Sequence, residues 1–120
     1  MNILATYGPL GLLFAFIVVH ALADFPLQGD YLARVKVRSQ AKQPRDWVIA
    51  LSAHSIIHGG GVWLVSGSLW LGLAETCLHW LTDLSKGEGK IGDLTDQFVH
   101  VLCKAIYVAL LVSFPALGYP

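Results

Sequence analysis

Every histidine in this sequence has a polar partner four residues away. His20 precedes Asp24, His54 precedes His58, His79 precedes Asp83, and Asp96 precedes His100. On a helix, residues at i and i+4 share one face, so each pair offers two donors side by side. Imidazole with carboxylate suits zinc, iron, manganese or nickel better than calcium or magnesium. The eight side chains are therefore candidate metal ligands, enough for one or two divalent transition-metal ions, with zinc first and manganese or iron next. A single His-x3-Asp is an ordinary hydrogen bond in a core. Pairs that consume all five histidines ask for one common explanation.

The elements that must position these pairs are apolar. Hydrophobic residues make up 55% of the chain and charged residues 13%, against about 25% charged in soluble domains. Four apolar stretches stand out. The first runs from Ile3 or Pro9 to Phe25 and is closed by Pro26. The second runs from Trp47 to Val65, with Asp46 as its expected N-cap. After a Ser66-Gly67-Ser68 turn, the third runs from Leu69 to Leu84. The fourth runs from Leu94 to Phe114, ahead of Pro115. Each approaches the ~20 residues that cross a bilayer core, the third only marginally. Backbone in lipid must be helical or closed into a barrel, and these runs do not alternate. The expected architecture is all-α: a single domain over residues 1–120, folded as an integral membrane four-helix bundle with one polar pair on each helix.

Orientation follows from the basic residues. Arg34, Lys36, Arg38, Lys42 and Arg45 lie between the first two stretches, and Lys86 and Lys90 lie between the last two. The positive-inside rule places both loops in the cytoplasm and both termini outside the inner membrane. The first ten residues, MNILATYGPL, have no basic leader region, so the first span is expected to be retained. Zero formal net charge gives no argument for nucleic acid. Cys77 and Cys103 lack metal-site spacing and read as small core fillers.

Because the helices alternate in direction, depth can be compared between them. Counted from the cytoplasmic end, the first layer is Asp24, His54, Asp83 and Asp96. The second is His20, His58, His79 and His100. One turn deeper lie Glu75 and Lys104, expected to meet as an ion pair. Charged groups in lipid face the bundle interior and a partner, and inward-facing acid and histidine pairs build the metal sites of helical bundles. Gly59-Gly60-Gly61, after His58, would let helices approach closely. Gln28 and Gln97 flank the site and read equally as donors to its ligands or substrate contacts and as ordinary interfacial polar residues. Trp47, Trp63, Trp70 and Tyr119 read as interfacial anchors.

With "HALADFPLQ", the His54 region, "HWLTDLSK" and "DQFVH" in view, the chain resembles a family of small bacterial membrane proteins catalogued as domain of unknown function 3307. The likeness covers nearly the whole chain. It is similar more distantly, in its His/Asp-in-membrane style, to membrane-bound metal-dependent hydrolases. "HSIIH" departs from the His-Asp form of the other pairs.

Four functions are compatible with a buried His/Asp centre. The first is a metal-dependent hydrolase acting on a lipid-linked or phosphate-ester substrate. Asp24 or Asp96 would then serve as general base, and Lys86 or Lys90 would meet the phosphate. The second is metal transport or handling, since His-x3-Asp resembles cation-diffusion facilitators; the placement at one end, away from the midplane, argues against it. The third is a di-iron oxygenase, for which five histidines are few. The fourth is a closed structural metal site. Membrane lipid is the expected surrounding partner, and a bundle this small is compatible with a homodimer.

Overall fold

Five helices account for the architecture, which a computed structural model describes for residues 1–119. The four long ones are α1 (Ile3–Asp24), α3 (Pro44–Ser66), α4 (Leu69–Gly87) and α5 (Asp93–Ser113). A short helix, α2 (Gly29–Val35), and a 3-10 turn at Arg38–Gln40 occupy the long basic loop, where no element was expected. The described residues contain no strand.

Local sequence sets the boundaries. Asn2 caps α1 by accepting from the Ala5 amide at 3.1 Å. The two expected starts, Ile3 and Pro9, both mark α1: its regular geometry is interrupted at Gly8, φ 69°, because the residue before a proline is pushed out of the α region and glycine tolerates the left-handed alternative. Helix α3 begins earlier than expected. Pro44 occupies its first turn, where the missing N–H costs nothing. Asp46 therefore lies inside the first turn and is not the N-cap; Gln43 holds that position. At the other end of α3, Gly67 turns the chain with φ 73° and returns its N–H to Trp63 O, a left-handed helix stop. Ser68 then caps α4 by accepting from Leu71 N at 3.4 Å.

The interior is divided along the bundle axis. Near the Ser66 turn it is apolar: Leu12, Phe16, Val62, Val65, Leu71, Tyr107 and Leu111 form one buried cluster. Towards the basic-loop end it is polar, with all five histidines, Glu75, Asp83, Asp96 and Lys104 buried. The outer surface is the reverse, exposing Leu10, Phe14, Ile49, Leu64, Leu94 and Phe98. Helices α1, α3 and α5 are long and apolar enough to cross a membrane; α4, which carries Glu75, Asp83 and Lys86, is not. Cys77 is exposed on this outer surface rather than filling the core, and Cys103 is half-buried.

The triple glycine is used unequally. A Cβ on Gly59 would collide with Thr76 Oγ1 and the Gly72 carbonyl oxygen, so α3 and α4 touch there backbone to backbone. A Cβ on Gly60 would meet nothing. Gly59→Ala is expected to destabilise by about 1–3 kcal/mol through overpacking, whereas Gly60→Ala should be neutral or stabilising, given alanine's helix propensity. Thermal unfolding of both variants in detergent checks this; equal midpoints would contradict the close approach.

Candidate metal centre

Four helices deliver their polar pairs to one level of the bundle. The rings of His58 and His79 stack at 3.6 Å between centroids, and His79 and His100 at 4.1 Å. His20 lies 4.9 Å from His58 and 5.1 Å from His100. His54 lies 4.6 Å from His58 and 5.0 Å from His79. All five histidines thus belong to one cluster, with His54 fully buried.

The aspartates edge this cluster. Asp24 Oδ1 is 3.0 Å from His58 Nε2 and 3.4 Å from His54 Nε2, and Asp24 Oδ2 is 3.2 Å from His20 Nε2. Asp83 Oδ1 is 3.6 Å from both His79 Nε2 and His100 Nε2, and its Oδ2 is 3.5 Å from His54 Nε2. Asp96 Oδ1 approaches His100 Nε2 at 3.2 Å. For comparison, metal–ligand bonds of about 2.0–2.1 Å in a tetrahedral site put neighbouring donors about 3.3–3.4 Å apart.

Three overlapping groups have donor atoms all within 4.8 Å of one another: His20, His58, Glu75 and His79; Asp24, His54, His58 and His79; and His79, Asp83 and His100. His79 belongs to all three. Seven of the eight candidate ligands fall in at least one group, and Glu75 joins them. Asp96 falls in none: its Oδ1 meets His100, and its Oδ2 is turned towards Lys86, 3.1 Å away, and Gln97, 3.3 Å away. The donors are nitrogen and oxygen with no thiolate, a set that fits zinc, manganese or iron.

Hydrogen bonding accounts for part of the cluster: His20, His58 and His100 each engage one ring nitrogen, with Gln97, Asp24 and Asp96 respectively. Both ring nitrogens of His54 and of His79, and the Nδ1 atoms of His20 and His58, are buried without a hydrogen-bond partner in the protein. Buried polar atoms in folded proteins are nearly always paired, and an unmade bond there costs about 1–3 kcal/mol. Here several ring nitrogens lie within ion-pair range of carboxylates but out of hydrogen-bond alignment. One ring nitrogen of each of these histidines lies within 4.8 Å of the other donors of its group.

The deeper layer is wired to the rings. Lys104 Nζ contacts Glu75 Oε1 as expected from their shared depth. Tyr107 also donates to Glu75 Oε2 at 2.9 Å, and Glu75 Oε1 lies 3.6 Å from His79 Nδ1. The sequence signal for the Tyr107 link is its spacing three after Lys104, but a tyrosine in an apolar run reads first as packing.

The outer layer holds a second surprise. Lys36, just after α2, donates to Asp83 Oδ2 at 2.6 Å. Lys86 bonds Asp96, but Lys90 turns away to Glu88 Oε2, 2.7 Å distant, and holds that carboxyl below its usual range. Gln97 bridges Asp24, Asp96 and His20, whereas Gln28 donates to the Asp24 backbone carbonyl at 3.1 Å. Ser55 donates to Leu51 O and does not join the histidines. Of the four aromatic anchors, Trp63 and Trp70 are exposed, and Tyr119 donates to Leu64 O at 2.7 Å while its ring covers Gly67.

Fold and site together define an all-helical protein with three membrane-length helices and a buried histidine–carboxylate cluster. The family described as "Protein of unknown function (DUF3307)" matches residues 12–117, a stretch that contains every residue of the cluster, and the chain belongs to that family. No curated protein and no solved structure matches the chain.

Proposed function

We propose that this protein is an inner-membrane metalloprotein, a four-helix bundle that holds one or two divalent transition-metal ions and hydrolyses a lipid-linked or phosphate-ester substrate. The observation that carries the metal reading is the convergence of unpartnered imidazole nitrogens and carboxylates around His79. Membrane insertion of all four long helices is supported by where α4 keeps its charges. Glu75 and Asp83 are buried inside the bundle, Lys86 lies at the helix end, and Leu69, Trp70, Leu73, Leu78 and Leu81 face outwards. A helix with inward charges is compatible with lipid. The long axis of 46 Å is close to the ~40–45 Å of a bilayer with its headgroups. The basic loops support a cytoplasmic site with both termini outside.

A metal in such a site supplies an acidified water and polarises an ester oxygen. The chain's own residues divide the remaining work. Asp24 touches three imidazoles and serves as ligand. Asp96 lies outside the ligand groups, beside His100 and Lys86, and is the better placed to accept a proton. Placement near one end of the bundle favours a substrate entering from the headgroup region over transport through the midplane.

The test is hydrolysis by metal-replete protein in nanodiscs across a panel of phospholipids and soluble phosphate esters. Asp96→Asn is expected to lower turnover by about 100-fold or more, as for loss of a general base, while keeping its metal. Asp24→Asn should lower both. A metal-replete wild type that is silent across the panel, with Asp96→Asn supporting growth of a deletion strain as well as wild type, would replace the hydrolase with a structural or metal-handling role.

A further inference from the structure

Between α2 and the facing ends of α4 and α5 lies an open cavity of about 440 Å³, lined by Gln28, Lys36, Gln40, Asp83, Lys86 and Asp93 among others. It reaches the cluster through Asp83, which is otherwise buried. Two ammonium groups stand at that junction: Lys36 Nζ, 2.6 Å from Asp83 Oδ2, and Lys86 Nζ, 3.1 Å from Asp96 Oδ2. Asp93, 3.3 Å from Lys86, is almost wholly exposed and competes with water for that lysine.

The charge count gives this arrangement its meaning. Three of the cluster's four carboxylates are each contacted by a lysine, Asp83 by Lys36, Asp96 by Lys86 and Glu75 by Lys104, while Asp24 meets only imidazoles and Gln97. With neutral histidines, and with the solvent-exposed Asp93 left out of the count, the empty set is short of one positive charge. A single divalent ion turns that deficit into a surplus of one, and a second ion adds two more. A positive surplus in a partly buried site attracts anions. Of the three lysines, Lys104 is sealed in the bundle, so Lys36 and Lys86 are the two able to reach a ligand in the cavity.

We infer that this cavity is a vestibule for a phosphate-bearing group, with Lys36 and Lys86 exchanging their aspartates for phosphate oxygens once metal is bound. This rests on the metal-centre reading above and adds the place where the phosphate would sit and the two residues that select it. Lysine binds phosphate as a compact point charge that can swing between partners. The partial exposure of both lysines, 15% and 36% of their side chains, leaves them room to move. The phosphate could belong to a lipid headgroup or to a soluble ester, since the cavity opens at the helix ends where headgroups lie.

Zinc-loaded protein in phosphatidylcholine nanodiscs, titrated calorimetrically with inorganic phosphate, tests this, with the zinc-to-protein ratio measured on the same samples. Lys36→Met and Lys86→Met are each expected to weaken phosphate binding roughly tenfold or more, as for loss of a charged hydrogen bond. Lys90→Met, which removes a lysine that pairs with Glu88 and does not line the cavity, should bind as wild type does. Phosphatidic acid in the nanodiscs that competes with phosphate identifies the lipid as source; phosphate binding without that competition identifies a soluble ester, and either result supports the vestibule. Should a methionine variant also lose zinc, Lys36→Arg or Lys86→Arg decides: retained phosphate binding supports the assignment and loss overturns it. Full-strength binding in the methionine variants, with zinc intact, overturns the vestibule and leaves the metal centre standing. A wild type without zinc brings both down, and the zinc ratio tells these failures apart.

Discussion

His79→Ala is expected to strip the protein of its metal. His79 is the one residue common to all three groups of converging donors, and its ring is sandwiched between those of His58 and His100. Loss of a residue that only supports a ligand costs about 10–100-fold in metal affinity, so loss of a shared ligand should exceed that. The remaining substitutions should form a graded series. His58 takes part in two groups, and His20, Asp24, His54, Asp83 and His100 in one each; His58→Ala should retain more metal than His79→Ala, and alanine variants of the one-group residues more again. Asp96→Asn should retain the most. Elemental analysis of the purified variants checks the order. A flat series, with His79→Ala no worse than Asp96→Asn, would mean that these groups do not share a metal.

The second large effect lies one turn deeper. Glu75 and Lys104 are both almost inaccessible to solvent, and each is the other's charged partner. Removing one member of a buried pair leaves an uncompensated charge, at a cost of about 3–5 kcal/mol. Glu75→Gln and Lys104→Met are each expected to destabilise by that order. The double variant should be less harmful than the two costs combined, with a coupling of about 0.5–3 kcal/mol. Tyr107 still donates to Glu75 in Lys104→Met, which places this variant at the milder end. Thermal or denaturant unfolding of the four proteins measures the coupling. Strict additivity would show that the pair contributes nothing in solution.

Much of this site is legible in the sequence because helix geometry dictates it. Spacing of four residues puts both members of a pair on one face, and alternating helix direction brings the four pairs, and Glu75 with Lys104, to matching depths. Side-chain direction is a different matter. Asp96 shares the spacing of the other aspartates, yet its Oδ2 turns to Lys86 and Gln97. Lys36 was hidden for another reason. Helix α2 has seven residues, too few to show a periodicity, and a lysine in a basic loop reads as topology before it reads as part of a site. Lys90 is the converse, a loop lysine near the site in sequence but held by Glu88 in space.

The helix boundaries repeat the lesson. Pro44 displaced Asp46 from the capping position because proline fixes the first turn before a polar side chain can compete. Helix α4 reads as marginally apolar because hydropathy averages over all faces, whereas its charges are gathered on the one that meets α3 and α5.

The most direct test is the metal-to-protein ratio of wild-type protein, purified without chelators or affinity metals and measured by elemental analysis. Between one and two equivalents of zinc, manganese or iron per chain are expected, lost in His79→Ala. Folded, stable wild-type protein that carries no transition metal, and takes up none when dialysed against zinc, would contradict the metal-centre reading and leave the histidine–carboxylate cluster as a polar core.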